Sequence, residues 1–177
     1  GGLTGVISSD YTLNALSASQ TIVVLPGQTH NPGKSTLVAA VTGTPTAQTA
    51  GSAFNADVYA VDSYFNVNPS ESSALTLTST DANATDPVTP TNFSSGTATF
   101  TITNKTRDIA AQLFPSTTLT DNASSTYIVD PAAASQLIIV MPGQTHNEGV
   151  ASLGAAITGS PTTQTAGSSF NVTVKAV

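Results

Sequence analysis

Pro26-Gly-Gln-Thr-His-Asn31 recurs as Pro142-Gly-Gln-Thr-His-Asn147, and Gln48-Thr-Ala-Gly-Ser52 recurs as Gln164-Thr-Ala-Gly-Ser168, both at an offset of 116 residues. Across residues 19–61 and 135–177 the two stretches are identical at 28 of 43 positions. Ser9-Asp-Tyr-Thr-Leu13 also falls opposite Ser125-Thr-Tyr-Ile-Val129. A solenoid unit that borrows its core from its neighbours is about 20–45 residues long. This period is the size of one independent β-sandwich domain. The expected organisation is beads on a string. Residues 1–18 are the last strand of a preceding repeat, 19–131 a complete repeat, and 132–177 the opening part of the next.

The local pattern is all-β. Thr and Val are abundant, and branched side chains suit a pleated surface. Residues 19–25 read as a first strand closed by Pro26-Gly27, followed by a polar loop and a short strand at 37–42. Residues 54–61 alternate, with Phe54, Ala56, Val58 and Ala60 on one face and Asn55, Asp57 and Tyr59 on the other. The later stretch keeps this phase, with Lys175 in the place of Tyr59, so that position is expected to face solvent. Further strands are predicted at 74–79, 97–103, 109–114 and 125–129. About seven strands at this spacing match a sandwich, and no helical period is present.

These residues carry a resemblance. Phe54-Asn-Ala-Asp-Val-Tyr-Ala-Val-Asp62, preceded by Thr49-Ala-Gly51 and followed by Leu75-Thr-Leu-Thr-Ser79, resembles the bacterial immunoglobulin-like tandem repeats of large cell-surface proteins. Pro142-Gly-Gln144 and Gly159-Ser-Pro161 are similar to segments that open such repeats. The resemblance implies an immunoglobulin-like β-sandwich in a stalk, adhesin or filament, outside the cell. One departure is Asp62-Ser-Tyr-Phe-Asn66, which stands where a Gly-containing turn is commoner.

Charge narrows the function classes. Charged residues make up 8% of the chain, against about 25% in a typical soluble domain. The net charge is −6 with four Lys plus Arg, too few cations for phosphate-driven nucleic-acid binding. Apolar runs such as 137–141 are far shorter than the roughly 20 residues of a membrane-spanning helix. With no Cys, disulfides, thiolate zinc sites and thiol catalysis are excluded. His30 and His146, the two His residues, occupy the same place in each stretch and read as turn-stabilising or interdomain groups, with metal ligation as the alternative. No constellation of nucleophile, base and acid is legible, so the chain reads as non-enzymatic.

Two weak sites remain as expectations. Asp81, Asn83 and Asp86 gather oxygen ligands in one loop, to which Asp62 or Asp121 could add, as a calcium candidate; the plain alternative is an Asx turn. Tyr59, Tyr64 and Phe65 form an aromatic cluster that a carbohydrate-binding module would need on its surface. A Lys–Asn crosslink at Lys105, near the acid Asp108, and glycans at the sequons of Asn83, Asn92, Asn104, Asn122 and Asn171 are further options. No cofactor other than calcium is expected. Partners are neighbouring repeats, identical subunits, or a cell-surface or glycan ligand. The functional expectation is a structural or adhesive module of a very long extracellular bacterial protein. Its alternatives are a filament or sheath subunit polymerising by β-strand complementation, and a carbohydrate-binding accessory module. The opening part at 132–177 is expected to be completed along the same chain or by a neighbouring subunit.

Overall fold

A computed structural model describes residues 4, 5, 7–85 and 91–177. The chain is mostly strand. In order it forms β1 (Gln20–Val24), β2 (Thr29–His30), the one-turn helix α1 (Leu37–Ala40), β3 (Val41–Thr42), β4 (Gln48–Thr49), β5 (Phe54–Val61) and β6 (Ala74–Ser79). There follow β7 (Thr91–Asn92), β8 (Thr97–Ile102), β9 (Asp108–Ala111), β10 (Leu113–Ser116), β11 (Thr120–Asp121) and β12 (Tyr127–Asp130). The last stretch carries β13 (Leu137–Val140), β14 (Thr145–His146), the one-turn helix α2 (Leu153–Ala156), β15 (Ile157–Thr158) and β16 (Thr173–Ala176).

One sheet has the order β11-β1-β5-β8. Facing it are β10-β6-β7 and β4-β12-β9. Side chains of all three build one core: Val23 and Leu25, Phe54 to Ala60 on alternate positions of β5, Leu75 and Leu77, Phe100 and Ile102, Leu113, and Tyr127 with Val129. Tyr127 meets Phe54 edge to face, ring centroids 5.6 Å apart. The reverse side of β1 has a second, smaller core of Ile22, Val24, Ala40, Val61 and Phe65. That explains why β1 is a continuous apolar run rather than an alternating one: both of its faces are covered.

Three expectations change. Residues 37–42 are not one strand. Thr36 caps a single helical turn, its side chain accepting from the Ala39 N–H at 3.4 Å, and only Val41–Thr42 pair, with β2. The turn drops Ala40 into the second core. The strand expected at 109–114 is two, β9 and β10, which serve different neighbours, β12 and β6. At the break, the Gln112 N–H donates to Thr80 Oγ1 at 3.2 Å, while the Gln112 carbonyl accepts from Thr80 at 3.1 Å. The described residues of 1–18 form no strand.

The two related stretches fold alike where they overlap. β1 and β5 pair with Ile22 opposite Tyr59 and Val23 opposite Val58. β13 and β16 pair with Ile138 opposite Lys175 and Ile139 opposite Val174, the same register 116 residues on. Their surroundings differ. Phe54 is 8% exposed and Phe170 is 47% exposed. Phe54→Ala should therefore cost about 3–5 kcal/mol, and Phe170→Ala should stay within about 0.5 kcal/mol. Urea unfolding of the two variants measures both; equal losses would contradict this assignment of the core.

Candidate functional site

The repeated Pro-Gly-Gln-Thr-His-Asn motif is the first place to look for chemistry, and its Gly, Gln, His and Asn have structural duties. Gly27 has φ +86°, and a Cβ there would stand 2.6 Å from the Thr44 carbonyl; Gly143, at φ +87°, would meet the Ser160 carbonyl at the same distance. Only Gly tolerates both demands. Gln28 Oε1 accepts from the Leu25 N–H at 3.2 Å, and Gln144 Oε1 accepts from Met141 at 3.1 Å. Asn31 donates to Thr42 Oγ1 at 2.8 Å, as Asn147 does to Thr158 at 3.1 Å.

His30 stacks on Tyr59 with centroids 5.0 Å apart, and its Nε2 lies 2.8 Å from the Phe65 carbonyl. A carbonyl only accepts, so Nε2 carries the proton and donates. In the later stretch the same pair of positions meets again: the Lys175 ammonium donates to His146 Nδ1 at 3.3 Å. Both His residues thus join β2 or β14 to the adjoining long strand. Tyr59 is half-buried against its partner rather than freely solvated. Desolvation, then the negative Asp57 beside it, raise its phenol pKa.

The aromatic cluster does not form a surface patch. Phe65 is 4% exposed and sits at φ +60°, turned inward by the loop that Asp62 organises. Tyr64 alone of the three is well exposed, at 56%. The missing Gly of that turn is replaced by a carboxylate. Asp62 Oδ1 accepts the N–H groups of Tyr64 at 2.8 Å and Asn66 at 2.9 Å, and Oδ2 accepts that of Leu16 at 3.0 Å. Asn66 Nδ2 adds a bond to Oδ2 at 3.1 Å.

Asp81 works the same way. Oδ1 accepts from the Asn83 N–H at 2.9 Å and from Thr106 Oγ1 at 2.8 Å; Oδ2 accepts the N–H groups of Lys105 at 2.6 Å and Thr106 at 2.9 Å. Asp121 accepts from Thr21, and twice from Thr117. These oxygens accept from the chain's own donors, whereas a calcium site gathers about six to eight oxygen ligands. The Asx-turn reading describes Asp81 and Asn83; Asp86 lies outside the described residues. Lys105 is exposed, so it lacks the buried setting of a Lys–Asn crosslink beside an acid. Asn104 is 1% exposed and accepts from the Tyr127 hydroxyl at 3.0 Å, which closes its sequon to a glycan in the folded protein. Asn92 and Asn171 are exposed, and Asn83 and Asn122 half-buried.

A cleft of about 920 Å³ lies where 132–177 meets the preceding unit, with Lys105, Arg107, His146, Glu148 and Lys175 among its lining. Asn83 Nδ2 reaches across to the Glu148 carbonyl at 3.3 Å. Among the described residues no helix is long and apolar enough to cross a membrane. No protein-family model, curated protein or solved structure matches the chain.

The two buried carboxylates have a pH signature. Burial opposes ionisation of both. The hydrogen bonds from Asn66, Leu16 and Tyr64 at Asp62, and from Thr106, Lys105 and Asn83 at Asp81, outweigh it and hold both carboxyls below their ordinary value. Their stabilisation is complete above about pH 4 and is lost as pH falls through the lowered folded values. The melting temperature should drop steeply on acidification below about pH 4. An Asp62→Asn, Asp81→Asn double variant should melt lower at pH 7 and show a flatter acid decline. An unchanged acid slope in that variant would remove the two carboxylates from this role.

Proposed function

We propose that the chain is a structural or adhesive repeat module of a very long extracellular or cell-surface bacterial protein, built from immunoglobulin-like β-sandwich units that act as spacers in a stalk or fibre. The observation that carries this reading is the 116-residue recurrence, in which the same motif residues perform the same turn and pairing duties in both stretches. Support for the immunoglobulin-like part comes from strand order. β1-β5-β8 form one layer, and the other runs β6, then β10 and β9 as one interrupted strand, then β12 and β4, with β12 and β4 parallel. The eight residues of β5 span about 26 Å by the rise of a strand. The linker Asp130-Pro-Ala-Ala-Ala-Ser135 is short and carries Pro, which stiffens the string. The Thr-rich and Asn-rich surface changes little with salt, which suits exposure outside a cell.

A second reading, a subunit completed by strands of its neighbour, is favoured by one observation. Ile139, Phe170, Val172 and Val174 are each about half exposed, although their counterparts Val23, Phe54, Ala56 and Val58 are core. An enzymatic reading has no comparable support, since the motif His residues and the buried acids are spent on structure.

Immunogold labelling of whole cells with antibody raised against the chain tests the proposal. The expected result is label on fibres or stalks at the cell surface. Label confined to the cell interior would overturn it.

A further inference from the structure

We infer that consecutive units of this chain meet in a built joint. The corner at Asn83 and Thr106 of one unit is a socket for the Glu148-Gly149 turn of the next, and this contact fixes the angle between them. The inference deepens the spacer reading above and rests on it.

Asp81 makes the socket. Its carboxylate accepts the Asn83 N–H from one loop and the Lys105 and Thr106 N–H groups from another, and so ties together the loops that follow β6 and β8. Thr106 Oγ1 donates to Asp81 at 2.8 Å and accepts from Asn83 Nδ2 at 3.1 Å. The same Nδ2 reaches the Glu148 carbonyl at 3.3 Å. Gly149 lies against this pair. A Cβ there would run into Thr106 Oγ1 and stand 2.9 Å from Asn83 Nδ2 and 3.2 Å from Thr106 Cα. The last of these is backbone, so turning a side chain would not clear the space.

The turn itself is local. Gly33, the counterpart of Gly149, has φ +74° against +78°. The Asn31 N–H donates to the Ala40 carbonyl as the Asn147 N–H does to that of Ala156. A Cβ at Gly33 would meet nothing within 4 Å, so the turn forms without a neighbour. At Gly149 the backbone conformation and the close approach are therefore two separate demands for glycine. Beside it, Glu148 lines the same cleft as Lys105 and Arg107, and the opposite signs favour the contact.

Units joined by a linker alone move relative to one another by default. Here the chain leaves the first unit at Asp130, whose carbonyl accepts from the Ala50 N–H at 2.8 Å, and meets it again at Glu148. The second attachment falls on different loops from the first, and removes the swing that a single attachment leaves.

The chain lacks Cys, so introduced thiols report without background. In the 177-residue chain, Asn83→Cys combined with Glu148→Cys should close an intramolecular disulfide under mild oxidation, and Asn83→Cys combined with Pro32→Cys should not. Spin labels on Ser116→Cys and Thr173→Cys, exposed strand positions of the two units, should give one narrow distance distribution by double electron–electron resonance. Gly149→Ala should widen it at least about twofold with an unchanged circular dichroism spectrum. Gly33→Ala, which carries the same backbone strain, should leave it narrow. Failure of the Asn83–Glu148 pair to close overturns the inference. So does a distribution that is broad before any glycine is changed, or one that stays narrow in Gly149→Ala, which would assign the stiffness to the linker. Equal widening in both glycine variants would assign the effect to loop strain and overturn it too. None of these failures touches the spacer reading, which the location of the protein decides separately.

Discussion

The pairing of β1 with β5 is the constraint on which the rest depends. Among the described residues β5 is the one strand with a long partner on each side, β1 along residues 57–61 and β8 along 54–59. Its alternation aims Phe54, Ala56, Val58 and Ala60 at the main core. A slip of one residue would turn Asn55, Asp57 and Tyr59 inward and expose four apolar side chains. β1 adds a second constraint, because Ile22 and Val24 face the smaller core while Val23 faces the larger one. Both cores thus share one strand pair. The loops that close the smaller core, residues 26–46 and 62–67, are held to it by His30 and Asp62.

A chain with so few charges spends its buried ones on loops. Asp62 and Asp81 are 1% and 7% exposed, a placement carboxylates avoid unless paired. Here the partners are main-chain N–H groups rather than cations. Each such bond to an ionised acceptor is stronger than one between neutral groups, and a turn that leaves several N–H groups inward needs acceptors for them. One carboxylate satisfies three or four donors in the space of a single side chain.

Long elements were legible because their signals are periodic. β5 and β6 fall on the residues expected, since alternation over six or eight positions with turn residues at each end has few competing readings. The helical turn α1 was not legible. Its four residues, Leu37-Val-Ala-Ala40, are too few to show a period of 3.6, and the run reads as well for a strand; the signal available was Thr36, a capping residue ahead of an Ala pair. The division of 108–116 into β9 and β10 has no local cause, because it depends on β12 and β6 approaching from opposite sides. Phe65 misled as a surface aromatic for a related reason. Beside Tyr64 it looks like part of a patch, but φ +60° turns it inward, and that conformation is set by the acceptor at Asp62.

The two related stretches separate what is local from what is tertiary. The β13–β16 pair keeps the register of β1–β5, and β14–β15 keeps that of β2–β3, with Thr145 opposite Thr158 as Thr29 is opposite Thr42. Register, the Gly turn and the one-turn helix therefore follow from sequence within about 40 residues. Strand length does not. β5 begins at Phe54, but β16 begins at Thr173, and its counterparts at 170–172 form no strand. In the first unit residues 54–56 pair with β8 alone, beyond the reach of β1. Among the described residues no strand pairs with 170–172. In β5 the first three positions, 54–56, are bonded by β8, so that part of the strand depends on a partner from outside these roughly 40 residues.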